Sequence, residues 1–564
     1  MKHLFSALAL MATTLCLHAQ RVEKELADPA PAAAEAWQNV KDITLAWGST
    51  DERYSRSEVP ALQKAPKRLS LHGWKGERLS AQAVLTAPTE IGNVSLSVSD
   101  LVSGKKRIAA SNVLRYFVCY TMSDKDSGRK DSILVADRLS PVAAMAVAAK
   151  SVRPIWLDIR IPHDAEAGTY TATLTAQCDG RELKVPFTVE VANRTLPAPK
   201  DWKFHLDLWQ NPYAVARYYG VPLWSKQHFD LMRPVMKHYA DAGGKVITCS
   251  IIQRPWNGQT EDPFESMIAK MKTIDGQWRY DYTVFDRWVQ FMMDCGVTKQ
   301  IDCYTLVPWH YRFDYFDMAS NSVRYVDCKP GEKEYEDFIL PFLRDFAAHL
   351  KQRGWFSRTC IAMDERPMDQ MQATYNIVKR ADPDYRIEGA FNYFPEFTAN
   401  VHDVSVAYQY DLIDEKTLSE RRRKNDPITF YTCCGPAWPN TFTFSPPAES
   451  AYMGWHAAAA GYDGYLRWAF NSWVKAPCQD SRFRTWPSGD CFFVYPGESS
   501  IRMERLVQGI QDYEKIQLLM GELTGRKLEL LRQTVEKFRS NKYEPKDDAA
   551  QMIRQAEAVL RQLE

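Results

Sequence analysis

After about residue 200 the sequence alternates short apolar runs, rich in β-branched and aromatic residues, with longer amphipathic stretches. This alternation is typical of strand–helix units that build a parallel sheet, whereas hairpins would join successive strands without helices. Eight runs are predicted as strands, at residues 202–209, 245–252, 300–306, 359–365, 386–392, 403–410, 427–434 and 464–470. Eight strands, each followed by a helix, predict a (β/α)8 barrel of the TIM type.

Between these runs, apolar residues recur at helical spacing. In residues 226–242 they lie on one face of the predicted helix, at Phe229, Met232, Val235, Met236 and Tyr239. Residues 285–293, 332–353 and 368–380 follow the same pattern. The helices expected after the fifth and sixth runs are only weakly indicated by the sequence.

Residues 20–199 are predicted to form a separate N-terminal β-sandwich. Their apolar runs are short, alternate with polar residues and are interrupted by Gly, Pro and Asp, as in antiparallel sheets. The clearest runs are residues 79–85, 94–98, 154–161, 169–175 and 183–191. The proline-containing stretch 195–200 is the expected linker, so the barrel is assigned to residues 200–525. We expect the sandwich to shield one side of the barrel.

The two ends of the chain carry different signals. Lys2 and His3 precede an apolar segment, so residues 1–19 are predicted to be a secretory signal peptide. We therefore expect the mature protein in the periplasm or outside the cell, without a membrane-spanning segment. At the other end, residues 526–564 are predicted to be a short helical segment, because residues 547–563 have apolar positions at helical spacing.

The pair Asp364-Glu365 is the most informative motif of the chain. It ends the apolar run 359–363 and precedes Arg366-Pro367, where the proline marks the end of the strand. Because catalytic groups of TIM-type barrels lie at the C-terminal strand ends, we expect both carboxylates in one pocket. Their repulsion would keep Glu365 partly protonated near neutral pH, as a general acid requires. The alternative is a solvated pair at the start of a loop.

Other strand ends carry aromatic and amide side chains. Such a set suits a sugar site, because flat rings stack on apolar sugar faces and amides bind hydroxyl groups. The candidate substrate-binding residues are Trp209, Trp309, His310, Asn392, Tyr393, Tyr410, Trp438, Trp468 and Asn471. Each aromatic residue taken singly has core packing as its alternative, and His310 can be a structural histidine.

Five motifs occur together in a fixed order. They are Met363-Asp364-Glu365-Arg366-Pro367, Gly461-Tyr462-Asp463-Gly464-Tyr465-Leu466-Arg467-Trp468-Ala469, Tyr495-Pro496-Gly497, Ser500-Ile501-Arg502-Met503-Glu504-Arg505 and Gly509-Ile510-Gln511-Asp512-Tyr513. On these motifs, residues from about 200 to 525 resemble glycoside hydrolase family 123, whose members are retaining exo-β-N-acetylgalactosaminidases with a (β/α)8 catalytic barrel.

The resemblance implies that Glu365 is the acid/base and that Asp364 holds the acetamido group of the substrate. It also implies a substrate-assisted mechanism. In that mechanism the acetamido carbonyl oxygen attacks the anomeric carbon, and water then opens the oxazolinium ion that forms.

The adjacency of the two acids favours the same mechanism on physical grounds. A conventional retaining pair stands about 5 Å apart across the sugar, which neighbours in sequence cannot easily achieve. Asp364 and Glu365 can act on the same side of the sugar, where Asp364 offsets positive charge and Glu365 protonates the leaving oxygen. Two alternatives stay open: a glycosidase of non-acetamido sugars with a protein nucleophile, such as Asp490 or Glu504, and a protein that binds sugar without cleaving it.

Composition excludes several other partners. Lys plus Arg number 71 and Asp plus Glu 70, so the net charge of +1 provides no overall field for nucleic acid or acidic membranes. The cysteines show no CxxC spacing, and those in predicted strands, including Cys249, Cys303, Cys360 and Cys433, are predicted to be small core residues. The histidines show no metal-ligand spacing, so we expect no metal and no cofactor. The expected partner is a glycan or glycolipid with terminal β-linked N-acetylgalactosamine (GalNAc).

Overall fold

A computed structural model describes residues 23–408 and 412–564. These residues form an N-terminal β-sandwich, a parallel eight-stranded barrel and a C-terminal helical segment, so the predicted fold class is confirmed. The predicted signal peptide, residues 1–19, lies outside the described residues. Among the helices of the described ranges, none has the length and apolar character needed to cross a membrane.

The sandwich is built from twelve strands before residue 196. They are β1 Thr44–Gly48, β2 Leu69–Lys75, β3 Arg78–Ala87, β4 Ile91–Val98, β5 Leu101–Ser103, β6 Lys106–Ile108, β7 Val113–Asp124, β8 Ser132–Ser140, β9 Ala144–Val147, β10 Ser151–Arg160, β11 Gly168–Cys178 and β12 Arg181–Thr195. One sheet has the order β1-β3-β10-β7-β8, and the other has the order β2-β12-β11-β4-β9 with the β5-β6 hairpin beside β11. Apolar side chains from both sheets form a shared core.

The β11-β12 hairpin shows how local sequence specifies this domain. Its strands pair antiparallel in continuous register from Gly168 opposite Val191 to Cys178 opposite Arg181. The two-residue turn is Asp179-Gly180, and both residues have positive φ, 46° and 88°. Asp-Gly is a favoured pair for such a turn because both residues tolerate the left-handed backbone. Alternate residues of β11 are buried, which matches the apolar–polar alternation of the sequence.

The barrel strands and their helices follow in regular alternation. The strands are β13 His205–Leu208, β14 Val246–Ser250, β17 Gln300–Tyr304, β20 Thr359–Met363, β21 Arg386–Phe391, β22 Asp403–Ala407, β23 Ile428–Tyr431 and β24 Gly464–Arg467. The helices are α1 Pro212–Tyr219, α2 Lys226–Asp241, α3 Thr283–Cys295, α4 Lys333–Arg353, α5 Met368–Ala381, α6 Pro395–Thr398, α7 Glu415–Lys424, α8 Pro447–Ala460 and α9 Ile501–Glu522. Each of the eight predicted strand runs overlaps one barrel strand.

The barrel sheet has the strand order β13-β24-β23-β22-β21-β20-β17-β14. The ring is nearly closed between β13 and β14, where Lys245 N donates to Leu206 O at 2.9 Å. Most barrel strands are buried on both faces, which explains their continuous apolar runs. After the fifth strand, helix α6 is short, and after the sixth strand, helix α7 is strongly polar. These properties explain why the sequence indicated both helices only weakly.

A small sheet is inserted into the loops after the second and third barrel strands. It consists of β15 Ala269–Lys272, β16 Trp278–Asp281, β18 Arg312–Asp317 and β19 Ser322–Asp327, in the order β16-β15-β18-β19. No pattern in the sequence predicted this sheet. Its strands are short and lie within long loops, so their pairing depends on the barrel that brings the two loops together.

The sandwich and the barrel share an extensive interface. The short strand β25 Ser499–Ser500, just before α9, pairs with β8 and so extends a sandwich sheet with a segment of the barrel domain. Buried ion pairs cross the interface, including Arg502 with Asp137 at 2.9 Å and Lys515 with Glu77 at 2.6 Å. The two domains are therefore held together by direct contacts as well as by the connecting chain.

The C-terminal segment contains α10 Gly525–Glu536 and α11 Ala549–Leu563. Both helices pack against the barrel helices α8 and α9. The side chain of Glu564, the last residue, accepts a hydrogen bond from Trp74 Nε1 at 2.6 Å. The segment therefore contacts the sandwich as well as the barrel exterior.

Candidate active site

Asp364 and Glu365 lie where the fourth barrel strand ends. β20 stops at Met363 and α5 begins at Met368, so the two acids occupy the short connection between them. Asp364 is buried, with 7% of its surface exposed, whereas Glu365 is exposed. Both side chains line one pocket. The chain turn after β20 therefore brings to one cavity two carboxylates that an extended strand would point to opposite faces.

The carboxylate of Asp364 is held by an indole. Trp309 Nε1 donates a hydrogen bond to Asp364 Oδ2 at 2.8 Å, and Asp364 Oδ1 has no hydrogen-bond partner among the described residues. The Arg366 guanidinium lies over the Trp309 ring, 4.9 Å from its centroid. Burial raises the pKa of Asp364 to about 6, although the Trp309 hydrogen bond and Arg366 favour the charged form. One oxygen of a fixed carboxylate thus has acceptor capacity that no described residue uses.

Glu365 has a different environment. The hydroxyl of Tyr431, the last residue of β23, donates a hydrogen bond to Glu365 Oε1. Because its side chain is exposed, Glu365 can exchange a proton with solvent. Repulsion between the neighbours contributes to the raised pKa of Asp364, but burial is its main cause. The acid/base role of Glu365 stays a prediction.

Tryptophan rings form much of the pocket wall. Trp209, which follows β13, stacks on Trp256 with the centroids 4.9 Å apart and an interplanar angle of 25°. Behind this pair Tyr304 packs against Trp209 at 4.3 Å. Trp468, which follows β24, meets Trp486 edge to face at 6.2 Å. Such flat apolar surfaces suit the C–H faces of a sugar ring.

A third carboxylate, Asp490, also lines the pocket. Its Oδ1 accepts hydrogen bonds from Arg467 Nη2 at 2.7 Å and from Trp468 Nε1 at 3.1 Å. Its Oδ2 has no partner among the residues that the structure describes. Burial raises the pKa of Asp490, and the charge of Arg467 opposes that change. This buried oxygen therefore has hydrogen-bond acceptor capacity that the described residues do not use.

The sandwich holds the loop that carries Asp490. Asp124, the last residue of β7, accepts hydrogen bonds from Ser488 N and Ser488 Oγ through Oδ2, both at 2.9 Å. In return Ser488 Oγ accepts from Asp124 N at 2.8 Å. The sandwich therefore positions one wall of the pocket in addition to covering the barrel.

The structure brings several of the sequence-predicted site residues together. Those that line the pocket are Asp364, Glu365, Trp209, Trp309 and Trp468. Trp209, Asp364, Glu365 and Trp468 follow the C-terminal end of a barrel strand directly or by two residues, and Trp309 lies in the loop after β17. The strand-end rule therefore located this part of the site without knowledge of the loops.

Three other predicted substrate-binding residues do not line this pocket. His310 and Trp438 are exposed, and Trp438 has 47% of its surface in solvent. Asn392 is half-buried just after β21. Trp309, the neighbour of His310, does line the pocket, so sequence position alone did not show which side chains of these loops belong to the pocket wall. Tyr410, a further candidate, lies outside the described residues.

Tyr393 and Asn471 also do not line this pocket, and both make hydrogen bonds within the fold. The Tyr393 hydroxyl donates to Asp414 Oδ2 at 3.1 Å, at the N-terminus of α7. Asn471 is fully buried, and its amide bonds both backbone groups of Asn211, at 2.8 and 2.9 Å. This amide joins the loops after the first and last barrel strands, so it fixes the position of the two loops relative to each other.

Several pocket residues were missed by the sequence analysis. They are Trp256, Gln259, Ala390, Tyr431, Cys433, Cys434, Leu466 and Trp486. Tyr431 ends the seventh strand, so the strand-end rule offered a signal for it. Trp256, Gln259 and Trp486 come from long loops whose path no local signal reveals. Cys433 was predicted as a core residue of a strand, but it lies beyond the end of β23, where it is half-buried.

A nearly closed parallel barrel with carboxylates and stacked tryptophans at its C-terminal strand ends defines an enzyme class that acts on carbohydrates. Comparison with protein families makes the assignment specific. Residues 209–519 match the glycoside hydrolase 123 catalytic domain, and residues 47–177 match the glycoside hydrolase 123 N-terminal domain. The chain belongs to glycoside hydrolase family 123, as its motifs predicted.

Solved structures include a relative over almost the whole chain. A family 123 glycoside hydrolase from Clostridium perfringens, described for its hydrolysis of glycolipid glycans, superposes with a TM-score of 0.85 at 25% identity, covering 92% of this chain and 97% of that chain. A putative α-galactosidase from Bacteroides fragilis reaches only 0.26 at 11% identity, over 79% of this chain and 77% of that one. No curated protein matches the sequence.

Proposed function

We propose that this glycoside hydrolase is an exo-β-N-acetylgalactosaminidase that retains anomeric configuration by substrate-assisted catalysis. The observation that carries the proposal is the state of Asp364: the side chain is buried, its Oδ2 is fixed by Trp309, and its Oδ1 has no partner among the described residues. Because Glu365 is the next residue, both carboxylates approach from one segment. This arrangement suits an acetamido group that itself supplies the nucleophile.

In the proposed first step, the acetamido carbonyl oxygen attacks the anomeric carbon. Asp364 Oδ1 accepts the acetamide N–H and offsets the positive charge that spreads over the oxazolinium ring. Glu365 gives its proton to the glycosidic oxygen as the bond to the leaving group breaks. In the second step Glu365 takes a proton from water, and that water opens the ring from the same side as the departed group. Two inversions leave the product with the configuration of the substrate.

The other walls of the pocket are proposed to bind the sugar ring. The stacked Trp209 and Trp256, together with Trp468, provide apolar faces for the ring and the acetamido methyl group. Asp490 Oδ2 is proposed to accept a hydrogen bond from a ring hydroxyl. The pocket at the strand ends is proposed to hold one terminal sugar, which corresponds to exo action.

The main competing function uses Asp490 as a protein nucleophile on a sugar without an acetamido group. The free Oδ2 of Asp490 in the pocket is the observation that favours it. The ion pair with Arg467 argues against it, because that pair lowers the nucleophilicity of the carboxylate. Glu504, the other sequence candidate, does not line the pocket and pairs instead with Arg78 at the sandwich interface.

Aryl glycosides separate these functions. Release from the β-GalNAc substrate and not from the β-galactoside supports the proposal, and the opposite preference supports the protein nucleophile. Sugar binding without turnover of either substrate indicates a non-catalytic binding protein.

Two inhibitors then test the mechanism. A GalNAc-thiazoline, which imitates the bicyclic intermediate, should inhibit with a constant well below KM. A glycosyl adduct trapped by a 2-fluoro sugar on Asp490 would refute substrate assistance.

The natural substrate is proposed to be a glycan or glycolipid with terminal β-GalNAc. The Clostridium perfringens relative, which hydrolyses glycolipid glycans, supports this class. The predicted signal peptide adds the proposal that the enzyme works in the periplasm or outside the cell. Cell fractionation with N-terminal sequencing tests that location: a mature chain that begins near Gln20 in the periplasm or medium supports it, and an uncleaved cytoplasmic chain refutes it.

A further inference from the structure

Two adjacent cysteines line the active-site pocket. Cys433 and Cys434 follow β23, and their Sγ atoms lie 3.9 Å apart. Cys434 is exposed and Cys433 is half-buried, whereas the other nine cysteines of the described ranges are buried. The mechanism proposed above uses neither thiol. A pair of accessible thiols in contact, placed in a catalytic pocket, is a site for thiol–disulfide chemistry.

We propose that Cys433 and Cys434 form a redox-sensitive modification site, which a small-molecule disulfide oxidises reversibly to a bond between the two neighbours, and that this bond lowers turnover. The effect on turnover rests on the proposed function. The formation of the bond does not.

The chemistry takes place in two exchanges. The Cys434 thiolate attacks one sulfur of a disulfide such as oxidised glutathione, so the S–S bond of the oxidant breaks, a mixed disulfide forms and one thiol leaves. Cys433 then loses its proton to solvent and attacks the Cys434 sulfur, which closes the protein disulfide and releases the second thiol. The protein loses two electrons and two protons, and the oxidant gains both.

The order of attack follows from the surroundings of the two thiols. Cys434 is the exposed member, so it meets the oxidant first. The hydrogen bond from the Cys433 thiol lowers the pKa of Cys434, although burial opposes this. The same contact, together with burial, raises the pKa of Cys433. Cys434 is therefore the better initial nucleophile and Cys433 the resolving thiol.

Because Cys433 and Cys434 are neighbours in sequence, a disulfide between them is a reversible modification and not a stable structural cross-link. The Cα atoms of neighbouring residues lie about 3.8 Å apart, but an ordinary disulfide joins Cα atoms about 4.4–6.8 Å apart. A bond between neighbours is consequently strained, and strained, exposed disulfides are the easily reduced ones. A reducing thiol should restore the open pair.

The pair is connected to both sides of the catalytic site through one short segment. Tyr431 donates to Glu365, and Thr432 Oγ1 accepts from Arg467 Nη1 at 3.0 Å. Arg467 in turn holds Asp490. To form a bond, the two sulfur atoms must close from 3.9 Å to about 2 Å. This movement in the next two residues disturbs the contacts that orient Glu365 and Asp490, so kcat/KM falls.

The test combines peptide mass spectrometry with kinetics on the full-length enzyme. After incubation with oxidised glutathione, thiol blocking and digestion, we expect the peptide with Cys433 and Cys434 to have lost two hydrogens. We expect kcat/KM on aryl β-GalNAc to fall by at least about tenfold, since small displacements of catalytic groups have effects of this size or larger. Dithiothreitol should restore both the free thiols and the rate.

Two controls sharpen the result. Cys249 and Cys303 are directly in register on β14 and β17 but are fully buried, so the same treatment should leave them as free thiols. Cys433→Ser, compared with its own untreated sample, should stop at a glutathione adduct on Cys434. Unreactive thiols in the wild type, an adduct that never closes, or a closed bond with unchanged kcat/KM would each overturn the proposal. If the untreated enzyme cleaves no substrate, the proposed function fails while the mass measurement still decides whether the bond forms.

Discussion

Replacing Asp364 by asparagine should make the protein more stable and nearly inactive at neutral pH. Burial raises the pKa of Asp364 from 3.8 to about 6. At about 1.4 kcal/mol per pH unit, an ionised Asp364 above pH 6 lowers the stability of the folded state by about 3 kcal/mol. The amide is isosteric and neutral, and its oxygen can still accept the hydrogen bond from Trp309 Nε1. It therefore removes the charge without removing the contact.

The sign of the pH dependence follows from proton binding. Between pH 3.8 and about 6 the folded wild type binds a proton that the unfolded chain has released, so its stability decreases as pH rises through this window. The neutral asparagine has no such dependence. We expect the melting temperatures of variant and wild type to be similar near pH 4 and to diverge up to about pH 7, with the variant higher.

Thermal unfolding measured in parallel from pH 4 to pH 8 checks this expectation. Glu365→Gln is the matched control, because that side chain is exposed and its replacement relieves no burial cost. A stability difference for Asp364→Asn that is the same at every pH, or a variant less stable than wild type above pH 7, would refute the reasoning.

The same substitution should remove catalysis. An amide cannot offset the positive charge of the oxazolinium ion, so kcat should fall by about 10² to 10³-fold while KM changes less. If ionised Asp364 is the active form, kcat/KM of the wild type should rise with pH up to about 6. A wild-type profile that is flat between pH 4 and pH 7 would contradict this role.

The remaining predictions concern the acid, the walls and the support of the pocket. Glu365→Gln should lower kcat on natural glycans by at least about 10²-fold, with a smaller loss on aryl substrates whose leaving groups need little protonation. Equal rates on natural glycans would show that Glu365 is not the acid. Trp468→Phe should lower kcat/KM with little change in melting temperature, whereas exposed Trp438→Phe should leave both unchanged. If Trp438→Phe is the more damaging change, the pocket is misplaced. Asp124→Ala should lower kcat/KM by about tenfold or more because the loop of Asp490 loses its anchor. Thr121→Val is the control: it removes a hydrogen bond from β7 to Pro477 O at 3.1 Å, which is further along the chain from Asp490 than the Asp124–Ser488 contact. It should lower kcat/KM less than Asp124→Ala does, and equal losses of kcat/KM would refute local positioning of Asp490.

Sequence patterns predicted the main architecture and five of the fourteen residues that line the pocket. Continuous apolar runs separated by amphipathic stretches predicted the barrel, because parallel strands buried on both faces need such runs. Asp364, Glu365, Trp209, Trp309 and Trp468 were found because catalytic groups of these barrels gather at C-terminal strand ends, and strand ends are visible in the sequence. The family motifs agreed with this assignment.

The different environments of the two acids, and the residues that complete the pocket, depend on the three-dimensional fold. Asp364 is buried and Glu365 is exposed, and burial is the largest cause of the raised pKa of Asp364, with a smaller contribution from the charge of Glu365. Trp256 and Trp486 come from long loops, and the loop that carries Asp490 is anchored by Asp124 of the sandwich. These positions depend on contacts between residues far apart in sequence, so no local pattern encodes them.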